Sequence, residues 1–282
     1  MDREHRDANR NMWDERVKIH VESDLYDVPG FLAGRNTLRD FEHGEIGPVE
    51  GRSLLHLQCH FGLDSLSWSR AGAIVTGIDF SEPAILAARD LAAQAGIDAR
   101  FECCDVHDAA ATLDRRFEIV YTGLGAICWL PDLDAWARQV VRLLEPGGRF
   151  YMPEFHPFTD VFHDRHLEVV ESYFDDGEAF RDETPGTYAD RDASTRHDLN
   201  FTWTHPVSTV ISTLVRAGLV LESFHEHDFT LFQRFDSLQR GSEGDIHRFP
   251  GDHPRLPLMY SILMRSPERP SRGSGPGSAT PG

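Results

Sequence analysis

The sequence predicts an α/β fold, namely a doubly wound, mostly parallel seven-stranded sheet with a helical N-terminal cap and an inserted lid after the fifth strand. Three observations predict this architecture. Short apolar runs alternate with helix-like segments between residues 53 and 155, the turns between them are only a few residues long, and the same regularity returns near residue 208. Parallel strands require this alternation, because each connection must carry the chain back to the same edge of the sheet.

The first half of the sheet begins with the buried run "SLLHL" and continues with amphipathic and apolar segments in turn. Ser81 is a plausible N-cap with Pro83 behind it, and Gly96 ends the same helix. The predicted elements up to the third strand are strand 53–57, helix 62–72, strand 73–79, helix 81–96 and strand 99–105.

The second half of the predicted sheet continues the alternation of strands and helices, which is interrupted by the insertion at about 159–206. "FEIVYTG" and "RFYMPEF" are strand-like, and the helix between them ends at "EPGG". The remaining predicted elements are strand 117–123, helix 132–144, strand 149–155, helix 208–217, strand 219–227 and strand 256–265.

Changes in pattern divide the chain into three parts. Residues 1–50 are predicted to form the helical cap, because Trp13 and Val17 recur at helical spacing. Residues 51–265 form the sheet domain, with an insertion at about 159–206 that is acidic, aromatic and rich in turn signals. Residues 266–282 are rich in Ser, Pro and Gly, and we expect this tail to be disordered.

Composition restricts the partners. The formal net charge is −18, from 46 acidic and 28 basic residues, so nucleic acid and anionic membranes are disfavoured. The longest uncharged apolar stretch, 119–130, is far shorter than the roughly 20 residues of a membrane span, and no export signal is visible. Four cysteines without C-x-x-C spacing indicate buried thiols in a reducing compartment. We therefore expect a cytoplasmic monomer or homodimer.

Acidic residues close two consecutive strands of the predicted sheet. Asp79 ends the second strand and Asp105 ends the third, at the edge where such sheets bind ligands. An acid at the first of these positions typically binds ribose hydroxyls. The turn after the first strand, "HLQCHFG", has one glycine instead of G-x-G-x-x-G, which disfavours a dinucleotide oxidoreductase, and no glycine is followed by lysine, which excludes a P-loop. A cofactor with adenosine but no phosphates accounts for both observations.

The chain resembles the class I S-adenosylmethionine-dependent methyltransferases over roughly Gly51 to Phe155, together with the closing strands near the C-terminus. "LLEPGGRFYMPE" matches the helix, tight turn and fifth strand of that family, whose fold is Rossmann-like. The family's first motif has an acid and three alternating glycines. Here His56 stands in place of the acid, Gln58 and His60 in place of two glycines, and Gly62 is the third.

The resemblance implies S-adenosyl-L-methionine as cofactor and a set of residues around it. Asp79 would hold the ribose, Phe80 would lie against the adenine, and Asp105 with Val106 would recognise the adenine amino edge. The cofactor-binding residues so implied are Leu57, Gln58, His60, Gly62, Asp79, Phe80, Asp105, Val106, Thr122, Gly123, Trp13 and His20.

Candidate catalytic residues follow the fifth strand. Methyl transfer from a sulfonium is an in-line displacement, so alignment in a dry pocket supplies much of the catalysis, and a base is needed only where the acceptor loses a proton. Glu154 and His156 in "MPEFHP" are the candidates for a base or a substrate-orienting role. The alternative is that they form hydrogen bonds that fix the lid.

Several histidines and aromatic residues have two interpretations. His56 and His60, and also "HEH" at 225–227, could be metal ligands, but the first pair leaves a strand rather than lying on a helix, so no metal site is predicted. The N-terminal residues Trp13, Arg16, His20 and Tyr26 are candidates to close the cofactor pocket, with plain helix packing as the alternative. Trp203 and His205 could face the acceptor across the insertion.

The function predicted from these observations is transfer of a methyl group from S-adenosylmethionine to a small organic molecule, with oxygen or nitrogen as the preferred acceptor atom over carbon. "YTGLGAICWLPD" lacks the Asn-Pro-Pro-Tyr type of sequence used on bases and amides, which favours a small-molecule acceptor. The alternatives are a non-catalytic module that binds S-adenosylmethionine or S-adenosylhomocysteine and, behind it, an NAD(P)-dependent oxidoreductase.

Overall fold

A seven-stranded sheet forms the centre of the protein in a computed structural model that describes residues 3–163, 165–174, 177–241 and 246–268. The strands of the chain, in order, are β1 Ser53–Leu57, β2 Ile74–Asp79, β3 Arg100–Cys103, β4 Phe117–Thr122, β5 Leu144–Phe155, β6 Phe180–Asp182, β7 Asn200–Thr202, β8 Val220–His227, β9 Phe229–Thr230, β10 Gln239–Arg240, β11 His247–Arg248 and β12 Met259–Arg265.

The central sheet has the order β3-β2-β1-β4-β5-β12-β8. The first five strands pair in parallel, and β12 is antiparallel to both β5 and β8. Strand order reverses between β1 and β4, so ligands are expected outside the carboxyl ends of these strands. The predicted doubly wound, mostly parallel seven-stranded sheet is confirmed.

Helices cover the sheet and form the predicted N-terminal cap. Ser81 caps α5 by accepting a hydrogen bond from the Ala84 amide at 3.3 Å, and Gly96 ends that helix in the left-handed region with φ 64°, as the sequence indicates. The helices are α1 Arg3–Glu22, α2 Val28–Leu32, α3 Asp40–Ile46, α4 Leu63–Arg70, α5 Glu82–Ala95, α6 Ala109–Leu113, α7 Leu133–Leu143 and α8 Val207–Arg216.

Alternation along the strands divides the core between the two faces of the sheet. Val120 of β4 packs with fully buried Trp136, while its neighbours Ile119 and Tyr121 pack with fully buried Trp68. Because successive side chains of a strand point to opposite faces, β4 is buried on both sides. This double burial holds the strand ends, and the loops that follow them, in fixed positions.

Two parts of the fold differ from the expectations or refine them. The insertion contains a short antiparallel pair, β6 with β7, and residues 229–248 add a small sheet, β10-β11-β9, that the sequence did not indicate. These strands are two or three residues long, too short for a periodic pattern. Cys103 is exposed, contrary to the expectation of four buried thiols. The predicted tail lies outside the described residues from 269 onward, and the domain boundaries stay predictions.

Among residues 3–163, 165–174, 177–241 and 246–268, no helix combines the length and the apolar character needed to cross a lipid bilayer.

Candidate functional site

A cavity that is partly open to solvent lies outside the carboxyl ends of β1 to β4. The loops after the strands form one side, which we call the sheet-edge half, and α1 with Tyr26 and Tyr188 forms the other, which we call the cap half. The lining residues are Arg6, Asn9, Trp13, Tyr26, Gln58, His60, Asp79, Phe80, Ser81, Cys104, Asp105, Val106, Leu124, Gly125, Ala126, Trp129, Leu130 and Tyr188.

The turn after β1 keeps a glycine-type backbone although two of its residues have side chains. Gln58, His60 and Gly62 have φ of 54°, 51° and 84°, which is the left-handed region. For a residue with a Cβ atom this conformation costs roughly 1–2 kcal/mol. The turn therefore follows the path that alternating glycines would take, and it directs the Gln58 and His60 side chains to the cavity.

Asp79 ties this turn to the start of α5. Its Oδ2 accepts a hydrogen bond from the His60 amide at 2.8 Å, and its Oδ1 accepts one from the Ser81 amide at 2.9 Å. Burial raises the pKa of Asp79 to about 6, against the lowering effect of these amides, so the carboxylate is ionised above that pH. The Phe80 amide also hydrogen-bonds this carboxylate, which has about four acceptor sites in all, so acceptor capacity is left for a ligand hydroxyl.

The far end of the cavity is formed by the loop after β3. Asp105 uses Oδ1 to accept from the His107 amide and to contact His107 Nδ1, both at 2.9 Å, while its Oδ2 lies 3.9 Å from the Arg6 guanidinium. Burial raises the pKa of Asp105, but the His107 contacts outweigh it and hold the pKa below the ordinary value. Oδ2 is thus an ionised acceptor beside Phe80, whose ring lies 5.5 Å from Arg10.

His56, which stands in place of the family's acid, lies beneath the cavity. Its Nδ1 is 2.8 Å from the Ser65 hydroxyl, and burial lowers its pKa to about 4, so the ring is neutral. A Cβ atom on Gly123 would come within 3.2 Å of His56 Nε2. Gly123 therefore leaves room for the imidazole ring of His56, which is larger than the acid of the family motif.

Aromatic rings from the cap half cover the turn. Trp13 packs edge-on against His60 and against Trp129, each at 5.2 Å between centroids. His20 Nδ1 lies 2.9 Å from His60 Nε2, and burial lowers the pKa of both histidines, so both rings are neutral and one donates its N–H to the other. The Tyr26 hydroxyl is hydrogen-bonded to the Tyr188 hydroxyl of the insertion.

The insertion is attached to α1 by polar contacts of the backbone. The Asn9 side-chain amide donates to the Phe201 carbonyl at 2.8 Å and accepts from the Phe201 amide at 2.7 Å. The Glu15 carboxylate accepts hydrogen bonds from the Arg196 and His197 amides. These bonds place the insertion over the cavity, where the sequence predicts a lid.

Glu154 and His156, the candidate catalytic residues, lie beside the cavity and are absent from its lining. Glu154 Oε1 accepts from the Gly125 amide at 2.6 Å, and Oε2 accepts from the Ala126 amide at 3.1 Å, so the carboxylate holds the loop that forms one wall. His156 Nδ1 accepts from the Phe158 amide and Nε2 lies 3.2 Å from Glu226. Their catalytic roles stay predictions.

The other histidine and tryptophan candidates also have partners in the protein. Trp203 donates its backbone amide to the Cys128 carbonyl, and His205 Nε2 lies 2.8 Å from the Leu130 carbonyl, so both pack against the loop after β4. In "HEH", His225 contacts Glu45, and His227 contacts Ser261. Within the part of the chain that the structure describes, no three potential ligands cluster as in a metal site.

Seven of the twelve predicted cofactor residues line the cavity: Trp13, Gln58, His60, Asp79, Phe80, Asp105 and Val106. The other five lie behind it or beside it: Leu57, Gly62, Thr122, Gly123 and His20. Gly62 is a packing position, because a Cβ atom there would lie 2.9 Å from Phe101. Sequence reasoning missed Arg6, Asn9 and Tyr188, which approach the cavity from distant parts of the chain and leave no local signal.

A family model described as "Methyltransferase domain" matches residues 54–148. This segment runs from β1 into the first residues of β5 and includes all four strand-end loops of the sheet-edge half. The predicted family resemblance is therefore confirmed.

Curated relatives match half of the chain or less. A ubiquinone biosynthesis O-methyltransferase of Alkalilimnicola ehrlichii is 34% identical over 114 residues, which is 40% of this chain and 46% of that protein. The chain thus spans less than half the length of this relative.

Solved structures match more of the chain at lower identity. A putative S-adenosylmethionine-dependent methyltransferase from Listeria monocytogenes has a TM-score of 0.56 and 20% identity, covering 80% of this chain and 98% of that one. The glycopeptide N-methyltransferase MtfA, complexed with S-adenosyl-L-methionine, has a TM-score of 0.51 and 17% identity, covering 87% and 95%. These likenesses show that, over the part of the chain that is matched, the fold is the one seen in S-adenosylmethionine-dependent methyltransferases.

Proposed function

We propose that this chain, a member of the S-adenosylmethionine-dependent methyltransferase family through residues 54–148, transfers a methyl group from S-adenosylmethionine to an oxygen or nitrogen atom of a small organic molecule. One observation carries the proposal. The cavity at the switch point of the sheet holds two carboxylates with free acceptor sites, Asp79 and Asp105, at the ends of adjacent strands. An adenosine group presents a hydroxyl pair and an amino group to such acceptors.

The residues present fit this cofactor. Asp79 would accept from the ribose hydroxyls with its remaining acceptor capacity, and Phe80 would pack against the adenine ring. Asp105 Oδ2 would accept from the adenine amino group. No part of the cavity needs to bind a pyrophosphate, which agrees with the single glycine of the turn.

The bound cofactor supplies an electrophilic methyl group on a sulfonium, and the protein supplies orientation. Trp13 and Trp129 meet at 5.2 Å and form apolar walls that exclude water from the reacting atoms. Their ring faces favour a nearby cation. Glu154 acts as a positioning residue in this proposal, because its four backbone hydrogen bonds, to the amides of residues 125–127 and 155, fix the loop that carries one wall.

A small acceptor is favoured by the closure of the cavity. The rings of Tyr26 and Tyr188 line it, and their hydroxyl groups are hydrogen-bonded to each other although the two residues are 162 positions apart in the chain. The formal net charge of −18 also disfavours nucleic acid as acceptor. Oxygen and nitrogen acceptors are both represented among similar proteins, in an O-methyltransferase and an N-methyltransferase.

Calorimetric titration with S-adenosylmethionine and S-adenosylhomocysteine tests the cofactor. A second assay incubates the protein with S-adenosylmethionine and a panel of phenols, carboxylic acids and amines, and measures S-adenosylhomocysteine. We expect micromolar binding and product with at least one acceptor class. Binding without product across the panel would support the non-catalytic module instead, and binding of NADH but neither adenosyl compound would support the oxidoreductase.

A further inference from the structure

We infer that Gln58 is a cofactor-binding residue whose side-chain carbonyl oxygen accepts a hydrogen bond from the α-ammonium group of S-adenosylmethionine. The inference rests on the proposed function and assigns a role to a side chain that stands where the family has glycine. It concerns the part of the cofactor that lies beyond the adenosine.

The orientation of the Gln58 amide is fixed by its partner. Nε2 lies 2.9 Å from the Ala126 carbonyl oxygen, which can only accept, so the nitrogen of the amide must face it. Oε1 therefore points away from Ala126. Among the described residues, Oε1 has no hydrogen-bond partner although the atom is buried. An unsatisfied buried acceptor is unfavourable, and a donor from a ligand would satisfy it.

The position of Gln58 along the cavity identifies the part of the ligand that it meets. The strand order β3-β2-β1-β4 places Asp105 and Asp79 toward one end and the bridge from Gln58 to Ala126 toward the other. With adenosine on the two carboxylates, the amino-acid part of the cofactor lies over β1 and β4. That part has a carboxylate, which accepts, a sulfonium without hydrogen, and an ammonium, so the ammonium alone can donate to Oε1.

The strained backbone conformation of Gln58 indicates that its side chain has a functional role. Gln58 has φ 54°, where glycine would be free of strain. A strained residue that persists at a binding site is a reasonable sign of function. A glycine at this position could reach neither Ala126 nor the ligand. Glutamine in place of the family's glycine therefore costs backbone strain and adds a polar side chain that can reach both.

The experiment compares three ligands by calorimetry on the full chain. S-adenosylmethionine has ammonium and carboxylate, its decarboxylated form keeps the ammonium, and 5′-methylthioadenosine has neither group. For Gln58→Gly we expect affinity for the first two to fall about 10-fold to 100-fold, the range for a hydrogen bond to a charged group. Affinity for 5′-methylthioadenosine should change by less than about twofold.

Two controls address folding and flexibility. Gln58→Gly relieves the positive φ and loses the hydrogen bond to Ala126, two effects of similar size, so its melting temperature should stay close to that of the unmodified chain. Gln58→Met keeps the length and the backbone conformation but has no amide, and it should show the same ligand-selective loss. An equal loss for all three ligands in both variants would mean a general disturbance of the turn and would overturn the inference.

Two further results would overturn the inference in distinguishable ways. Variants that bind S-adenosylmethionine as tightly as the unmodified chain would remove Gln58 from the site and leave the proposed function intact. Weaker binding of S-adenosylmethionine with unchanged binding of the decarboxylated form would assign the contact to the carboxylate. If the unmodified chain binds none of the three ligands, the proposed function itself fails.

Discussion

The two halves of the cavity are held by different kinds of contact. In the sheet-edge half, Asp79 bonds the amides of His60 and Ser81, which are 19 and 2 positions away in the chain. In the cap half, Asn9 bonds Phe201, which is 192 positions away. The sheet-edge half is thus fixed by strands buried on both faces, while the cap half depends on a few long-range contacts. We conclude that the first half can be shared by a family and the second can vary with the acceptor.

The largest expected effect comes from Asp79, which belongs to the sheet-edge half alone. In the proposed function Asp79 is the charged acceptor of the ribose hydroxyls, so S-adenosylmethionine affinity of Asp79→Ala should fall by about 100-fold in calorimetry. Asp252→Ala, at an exposed position away from the cavity, is the matched control. Retained affinity in the Asp79 variant, with the fold intact by circular dichroism, would contradict the assignment of this half to the cofactor.

A second prediction concerns the junction of the cap with the sheet. Glu42 of α3 accepts from the Tyr121 hydroxyl of β4 at 2.9 Å, and burial raises its pKa from the ordinary 4.5 to about 7. The folded chain therefore binds this proton more tightly than the unfolded chain. The resulting stability is fully present below about pH 4.5 and is lost as pH rises through about 7.

Glu42→Gln cannot titrate, so its free energy of unfolding relative to the unmodified chain should rise by on the order of 2–3 kcal/mol between pH 4.5 and 7.5. Urea unfolding at a series of pH values measures this difference. Parallel curves for the two proteins would show that the Glu42 carboxyl does not titrate differently on folding.

The smallest effect tests the independence of the halves. Tyr188→Phe removes the hydroxyl pair with Tyr26, a contact worth about 1 kcal/mol, so the KM for an acceptor found in the panel should rise about fivefold. Cofactor affinity should stay within about twofold. Tyr26→Phe should give the same result, and the double variant should add little, because either change breaks the same bond. A matching loss of cofactor affinity would show that the halves are coupled.

The sequence predicted the sheet-edge half well because its signals are local. The bounds of β1, the Ser81 cap and the strand-end acids Asp79 and Asp105 all follow from short patterns of polarity and burial. The alternation of strands and helices along the chain indicates a parallel sheet covered by helices on both faces. In such a sheet the carboxyl ends of the strands lie along one edge, where ligands bind. The family resemblance then implied S-adenosylmethionine as the ligand of Asp79 and Asp105.

The rest could not be predicted because it depends on chain segments that meet only in the folded state. Tyr188 lies in an acidic insertion without periodicity, and Arg6 is one of several charged residues of α1 that the sequence alone does not distinguish. Leu57 and Gly123 were expected at the cavity, but a strand residue can point below the sheet edge as easily as above it. The left-handed φ of Gln58 has no sequence signal at all, since glutamine rarely adopts it.

The pairing of Asn9 with Phe201 has a consequence for how the site opens. The Asn9 side-chain amide bonds both the carbonyl and the amide of Phe201 in β7. It makes the same two hydrogen bonds that a residue of a neighbouring antiparallel strand would make. Separating the insertion from α1 would expose two buried polar groups at once. We therefore expect the insertion and α1 to move together when ligands exchange, because separating them would break both of these hydrogen bonds at once.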